Sequence, residues 1–178
     1  MHADGGRVEV RLSSKRRALR GHSDDVALDD RTLHAMGIER MIRYQREQDV
    51  ELAEVIAIYR SSTLGERRPI DDEAIVGDMI RHASLVVTAR DDRTLVGIAR
   101  TLTDFSYVGY LADLAVAKNY QRSGIGIGLI RETRRHMGPR SSVVLLAAPA
   151  ATEYYPHLGF AKVDSAWVLA AGNPLLER

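Results

Sequence analysis

"NYQRSGIGIGLI", residues 119–130, decides how this chain reads. Glycine stands at every second position from Gly124 through Gly126 to Gly128, and a polar, basic run over residues 118–123 leads into them. Glycine at a loop-to-helix junction lets main-chain N–H groups close on an anion. It has no Cβ to hold the ligand off, and the helix start adds partial positive charge. Upstream, "YVGYLADLAVA" (107–117) reads as a buried strand. Downstream, "GLIRETRRHM" (128–137) reads as a helix ended by Gly138-Pro139, and "SVVLLAAPA" (142–150) as another buried strand. A strand-loop-helix-strand unit of this kind is where sheets commonly hold phosphate.

Further out the order continues. "IERMIRYQ" (38–45) alternates as a first strand, and "DVELAEVIAIYRSS" (49–62) carries Asp49 as N-cap with Leu52, Val55, Ile56 and Tyr59 on one helical face. Gly65 and Pro69 break that helix, and "DEAIVGDMIRHA" (72–83) starts a short one. "SLVVTARDD" (84–92) and "TLVGIARTLTDF" (94–105) read as strands joined at Asp91-Asp92-Arg93. "ATEYYPHLGF" (151–160) reads as a short helix closing on Gly159, and "AKVDSAWVLAAG" (161–172) as a last strand. The expected class is α+β, a mixed, mostly antiparallel sheet flanked by helices.

Bulk properties narrow the function. The 178 residues suffice for one domain with a proper core, expected over 36–178. Residues 1–35 are polar and mixed in charge, with a cluster at Lys15, Arg16, Arg17 and Arg20, and are expected to form a poorly ordered extension. Met36 is read as an alternative translation start. A formal net charge of +1 gives no whole-protein attraction to nucleic acid or membrane. With no cysteine, disulfides, thiolate metal sites and a cysteine nucleophile are all excluded. No metal site is expected. The N-terminus lacks the apolar core of a secretory signal, so a cytoplasmic protein is expected.

Two nucleotide readings of the glycine loop fail. A P-loop needs Lys after its last glycine, and none follows. A dinucleotide fingerprint places its third glycine one residue later and needs an acid about 20 residues on. "SSVVLLAAP" (141–149) has none there. A third reading remains, a diphosphate held on successive main-chain amides. Residues Gln121, Arg122, Ser123, Gly124, Ile125 and Gly126 then fit the pattern Q/R-x-x-G-x-G/A, and the segment resembles the acetyl-CoA loop of the GNAT superfamily of N-acetyltransferases. "LAVAKNYQRSGIGIGLI" (114–130) is similar to that family's strand, loop and helix, and "YYPHLGF" (154–160) resembles its aromatic-pair motif.

The resemblance implies acetyl-CoA as co-substrate, with residues 121–126 on its diphosphate; the charges of Arg122 and Lys118 would add attraction to the phosphates. It implies that Leu114, Ala115 and Val116 line a gap between strands where the pantetheine arm lies, near Ala147 and Ala148. Val116 or Ala115 would supply the oxyanion N–H. Tyr155, at the motif's tyrosine position, is the candidate general acid, since a phenol of pKa about 10 stays protonated at neutral pH. Tyr154 and Phe160 are expected to pack and His157 to lie at the surface. Asp113, inside an apolar strand, is the candidate general base because a buried carboxylate is costly unless paired or used. A structural hydrogen bond is its other reading, and Asp104 and Glu153 are runners-up as base. The acceptor, a small-molecule amine or a protein lysine, is expected beside residues 62–72, where Glu66, Arg67, Arg68, Asp71 and Asp72 lie, with Trp167 lining the cleft or filling core. Direct transfer in a ternary complex is the simplest route. The competing function is a non-catalytic acyl-CoA sensor or partner-binding module on the same fold. A homodimer is left open, because the pattern does not speak to oligomeric state.

Overall fold

Alternation and helical periodicity translate into eight regular elements in a computed structural model that describes residues 41–176. In chain order they are β1 (Ile42–Arg46), α1 (Leu52–Ser61), α2 (Glu73–Arg81), β2 (Leu85–Asp91), β3 (Thr94–Thr103), β4 (Val108–Val116), α3 (Ile125–Arg135) and β5 (Ser142–Val144). One sheet runs β1-β2-β3-β4-β5, antiparallel at every pairing except the parallel β4–β5 pair. This is the expected mixed, mostly antiparallel α+β sheet. The extension expected over 1–35, the Met36 start and the first residues of the expected initial strand lie outside the described residues. No helix among the described residues is long and apolar enough to cross a membrane.

The chain divides into two compact units at Leu145/Leu146. In the first unit the helices take opposite faces of the sheet. Val86, Ile98 and Ala115 join Val55, Ile56, Ile58 and Tyr59 of α1 and Val76 and Ile80 of α2 in one apolar cluster. Each large side chain fully buried there contributes roughly 1.5–3 kcal/mol. Gly97, the neighbour of Ile98, faces the other way, since a Cβ on it would lie 3.1 Å from Ile125 and Leu129 of α3.

Gly128 serves the same helix-on-sheet contact. A Cβ there would overlap the Tyr44 ring on β1, so the third glycine of the loop is a packing residue. Gly128→Leu is expected to destabilise by about 1–3 kcal/mol through overpacking. That exceeds the roughly 1 kcal/mol of helix propensity that replacing glycine returns. Urea midpoints check this, and Tyr44→Ala in the same chain should recover part of the loss. A Gly128→Leu midpoint equal to the parent's would show that Tyr44 does not constrain the helix.

Several boundaries differ from the sequence reading. Helix α1 begins at Leu52 after Glu51 with no side-chain cap, so Asp49 is not its N-cap; the chain is still entering the core at buried Val50. Helix α2 does carry its cap, Asp72 accepting from the Ile75 amide at 3.1 Å. Helix α3 starts at Ile125, upstream of the expected Gly128, because left-handed Gly124 (φ +84°) makes the turn. The strand expected over 142–150 shrinks to Ser142–Val144 at the sheet edge, with Val144 44% exposed, so it is not buried.

The second unit, described from Leu146 to Leu176, contains no strand, so the strand expected over 161–172 is absent and Trp167 is 93% exposed. The short helix expected over 151–160 becomes two 3-10 turns, Pro149–Ala151 and Pro156–Leu158, closed by left-handed Gly159 (φ +85°). Pro156, inside the expected helix, lacks the N–H that a continuous helix would use there.

Candidate functional site

Strand β4 sets up the site through one extra residue. Its register with β3 pairs Thr103 with Gly109, Leu102 with Tyr110 and Thr101 with Leu111, then Arg100 with Asp113. Ala112 is skipped, a one-residue bulge that bends and twists its strand. On the opposite side, β5 pairs only with Val108, Gly109 and Tyr110. From Leu111 onward, β4 has its ladder on the β3 side alone. The Ala117 amide donates to the Val96 carbonyl at 2.9 Å, which fixes the alternation. Ala115 directs its backbone groups at β3, while Leu114 and Val116 direct theirs at the open side. For an open-edge N–H donor this selects Val116 over Ala115. The Val116 carbonyl already accepts from Gln121 Nε2 at 3.0 Å.

Beyond β4 the chain makes the 3-10 turn Lys118–Tyr120, tied by Ser123 Oγ donating to the Tyr120 carbonyl at 2.6 Å. Arg122 (φ +64°) and Gly124 (φ +84°) are both left-handed. For Arg122 that conformation costs about 1–2 kcal/mol, and such strain concentrates at ligand sites. Gln121, Arg122, Ser123 and Gly124 are exposed, Gly126 is half-buried, and Ile125 is buried, anchoring the helix start. No side chain caps α3. By helix geometry the amides of residues 125–127 have no intrahelical acceptor. A run of main-chain N–H groups through left-handed turns into a helix start forms a concave anion site. The residues present therefore fit a diphosphate.

Behind the bulge, on the α1 face, lies a buried ionic cluster. Asp113 is 1% exposed, and its Oδ1 accepts from Arg68 Nε at 2.6 Å. Its Oδ2 accepts from the Tyr59 hydroxyl at 2.9 Å and from Arg100 Nε. Burial, then the charge and hydrogen bond of Asp113, push the Tyr59 phenol well above its ordinary pKa. Burial works against the Arg100 charge, but the bond and charge of Asp113 hold its pKa above the ordinary arginine range. Arg68 spreads its guanidinium further, Nη2 donating to the Ala112 carbonyl at 2.7 Å and Nη1 to the Arg67 carbonyl at 2.8 Å.

Other candidates fall elsewhere. Asp104 accepts the amides of Ser106 and Tyr107 at 2.8 Å and of Val108 at 3.2 Å; these bonds, Tyr107's first, hold its carboxyl below the usual range. It shapes its own turn. Glu66, Arg67, Asp71, Asp72, Lys118, Ala147, Glu153 and His157 are exposed and Ala148 is half-buried. In the second unit, half-buried Tyr155 meets the rings of Tyr154 and Phe160 edge-to-face at 5.3 and 5.5 Å. Burial raises the Tyr154 phenol. The sequence reading had Tyr59 only on a helical face and Arg68 only beside the acceptor, and it passed over Arg100. Arg100 carried a usable signal, a charge inside the apolar run "TLVGIARTL".

A family model described as an acetyltransferase (GNAT) domain matches residues 47–173. No curated protein sequence matches the chain. Among solved structures, the chain is similar to a protein of meticillin-resistant Staphylococcus aureus (TM-score 0.61, 19% identity, covering 75% of this chain and 100% of that one). It is also similar to a GNAT family acetyltransferase from Streptococcus pneumoniae TIGR4 (0.57, 22%, 72% and 98%). A third is an aminoglycoside N-acetyltransferase in complex with CoA (0.58, 16%, 74% and 95%). At these identities the structural likeness concerns the fold.

Proposed function

This chain belongs to the GNAT family of acetyltransferases, and on that premise we propose that it moves an acetyl group from acetyl-CoA directly to a primary amine in a ternary complex. One observation carries the reading: the exposed double left-handed turn enters an uncapped helix immediately beyond a strand edge that β5 leaves at Tyr110. Acetyl-CoA, when bound, supplies the activated thioester. The amides of residues 121–126 hold its diphosphate, with Lys118 and Arg122 adding charge. Leu114 and Val116 bind its arm by their outward backbone groups, Ala115 supports them from within the strand, and the Val116 N–H polarises the acyl carbonyl. Tyr155 is the general acid, holding the proton that the departing sulfur takes up.

Asp113 enters this proposal as a positioning residue. Both oxygens of this buried carboxylate are already engaged by two guanidinium groups and a phenol, which turns them into the core and away from an incoming amine. Water carries the amine's proton away instead. The acceptor is a small-molecule amine or a protein lysine, bound beside residues 62–72. An aminoglycoside belongs first in the panel because one similar structure is an aminoglycoside N-acetyltransferase. The reaction so written needs no metal ion and suits a cytoplasmic enzyme.

Acetyl-CoA at a hundredfold excess over its Kd should stabilise the protein by about 2.7 kcal/mol, read as a rise in melting temperature. Thiol release with the amine panel then tests turnover. No thermal shift would sink the proposal. Protection without turnover on any amine or lysine-bearing protein would favour the non-catalytic acyl-CoA module.

A further inference from the structure

Arg68 occupies an unusual position for a loop arginine. It follows the 3-10 turn Thr63–Arg67 in the segment expected to wall the acceptor, yet its side chain is only 22% exposed. Two of its bonds converge on β4, at the Ala112 carbonyl (2.7 Å) and Asp113 Oδ1 (2.6 Å). Ala112 is the residue without a β3 partner. Asp113 is in turn held by Arg100 on β3 and Tyr59 on α1. The loop is itself fixed from below. Ser62 Oγ donates to the Tyr59 carbonyl at 3.3 Å and accepts from the Leu64 amide at 3.4 Å. A Cβ on Gly65 would lie 2.6 Å from the Tyr59 carbonyl, so only glycine permits this approach.

We propose that Arg68 is a positioning residue that clamps the Ala112 bulge and so sets the opening of the β4 edge at Leu114 and Val116. The assignment rests on the reading above, in which that edge receives the pantetheine arm. A bulge carbonyl has lost its ladder partner and needs a donor. Arg68 supplies it from a planar fork that engages the adjacent carboxylate at the same time. Lysine has the charge but not the fork, so it cannot hold both acceptors in one geometry. Because the same side chain ends the 62–68 segment, the clamp also ties the acceptor wall to the donor edge.

The test compares the parent with Arg68→Lys by calorimetric titration, using CoA and 3′-phospho-ADP, which keeps the phosphates but lacks the pantetheine arm. CoA is expected to bind Arg68→Lys at least tenfold more weakly, with 3′-phospho-ADP within twofold of the parent. CoA affinity within twofold of the parent would overturn the role of Arg68 and leave the acyl-CoA reading standing. An equal loss of both ligands would make Arg68 a general structural residue and also overturn it. A parent that binds neither ligand sinks the underlying reading. The unsubstituted protein gives a second test, which holds even if Arg68→Lys fails to fold. The Arg68 Nε–H resonance is expected to shift on adding CoA and stay in place with 3′-phospho-ADP. No shift with CoA overturns the clamp.

Discussion

Asp113→Ala is expected to lose about 3–5 kcal/mol of folding stability, because removing one partner of a buried ion pair leaves the others charged and unpaired. Arg100 is the residue left worst off, since it lies buried across from Asp113 on β3. Tyr59 loses its acceptor as well. For a chain of this size each kcal/mol is worth roughly 2–4 °C, so the melting temperature should fall on the order of 10 °C. The urea midpoint should fall with an unchanged slope. Replacing both buried partners by apolar residues, Asp113→Leu with Arg100→Met, should be milder than the single change, because the only charge then left without its carboxylate is Arg68, which reaches solvent. A loss below about 1 kcal/mol for Asp113→Ala would mean that the cluster does not hold β4. The same experiment separates the two readings of this carboxylate. In Asp113→Asn protein that still folds, a general base would cost kcat with acetyl-CoA affinity retained. A positioning residue would weaken acetyl-CoA binding along with stability.

Tyr155→Phe should lower kcat by about 100-fold or more, the usual range for a lost general acid. Acetyl-CoA affinity should hold within a few-fold, because the ring keeps its packing against Tyr154 and Phe160 without the hydroxyl. A fall in kcat and kcat/KM together marks an interaction made in the transition state. Turnover within threefold of the parent would strip Tyr155 of the acid role while leaving the diphosphate cradle untouched. Tyr154→Phe is the control on the neighbouring ring and should change kcat little.

Local chemistry in the sequence was enough to place some features. The β2–β3 hairpin is legible because Asp92 sits between two apolar runs of strand length and takes the left-handed turn (φ +51°). The glycine loop is legible because Gly124 must adopt a conformation few residues tolerate. Asp113 stood out as a charge in an apolar strand, and the same rule applied to "TLVGIARTL" points to Arg100. The bulge at Ala112 was not legible. Nothing in "YLADLAV" marks it, since register belongs to a pair of strands and only one is visible at a time. Arg68 reads like Arg67 beside it; only a partner 45 residues away distinguishes them. The apolar runs after Val144 read as strands because alternation records burial tendency and says nothing of whether a ladder partner exists.

The absent side chain at Gly128 has a mechanical consequence for the turn before it. With the Tyr44 ring seated where a Cβ would be, the azimuth of α3 about its own axis is dictated from β1. The outward bearing of the amides at residues 125–127 follows from that azimuth. Under the proposed function, docking of the first strand and capture of the diphosphate would be linked equilibria. On that reading, fraying of β1 would turn the donors away from the ligand, and a bound ligand would in return resist detachment of the sheet's outermost edge.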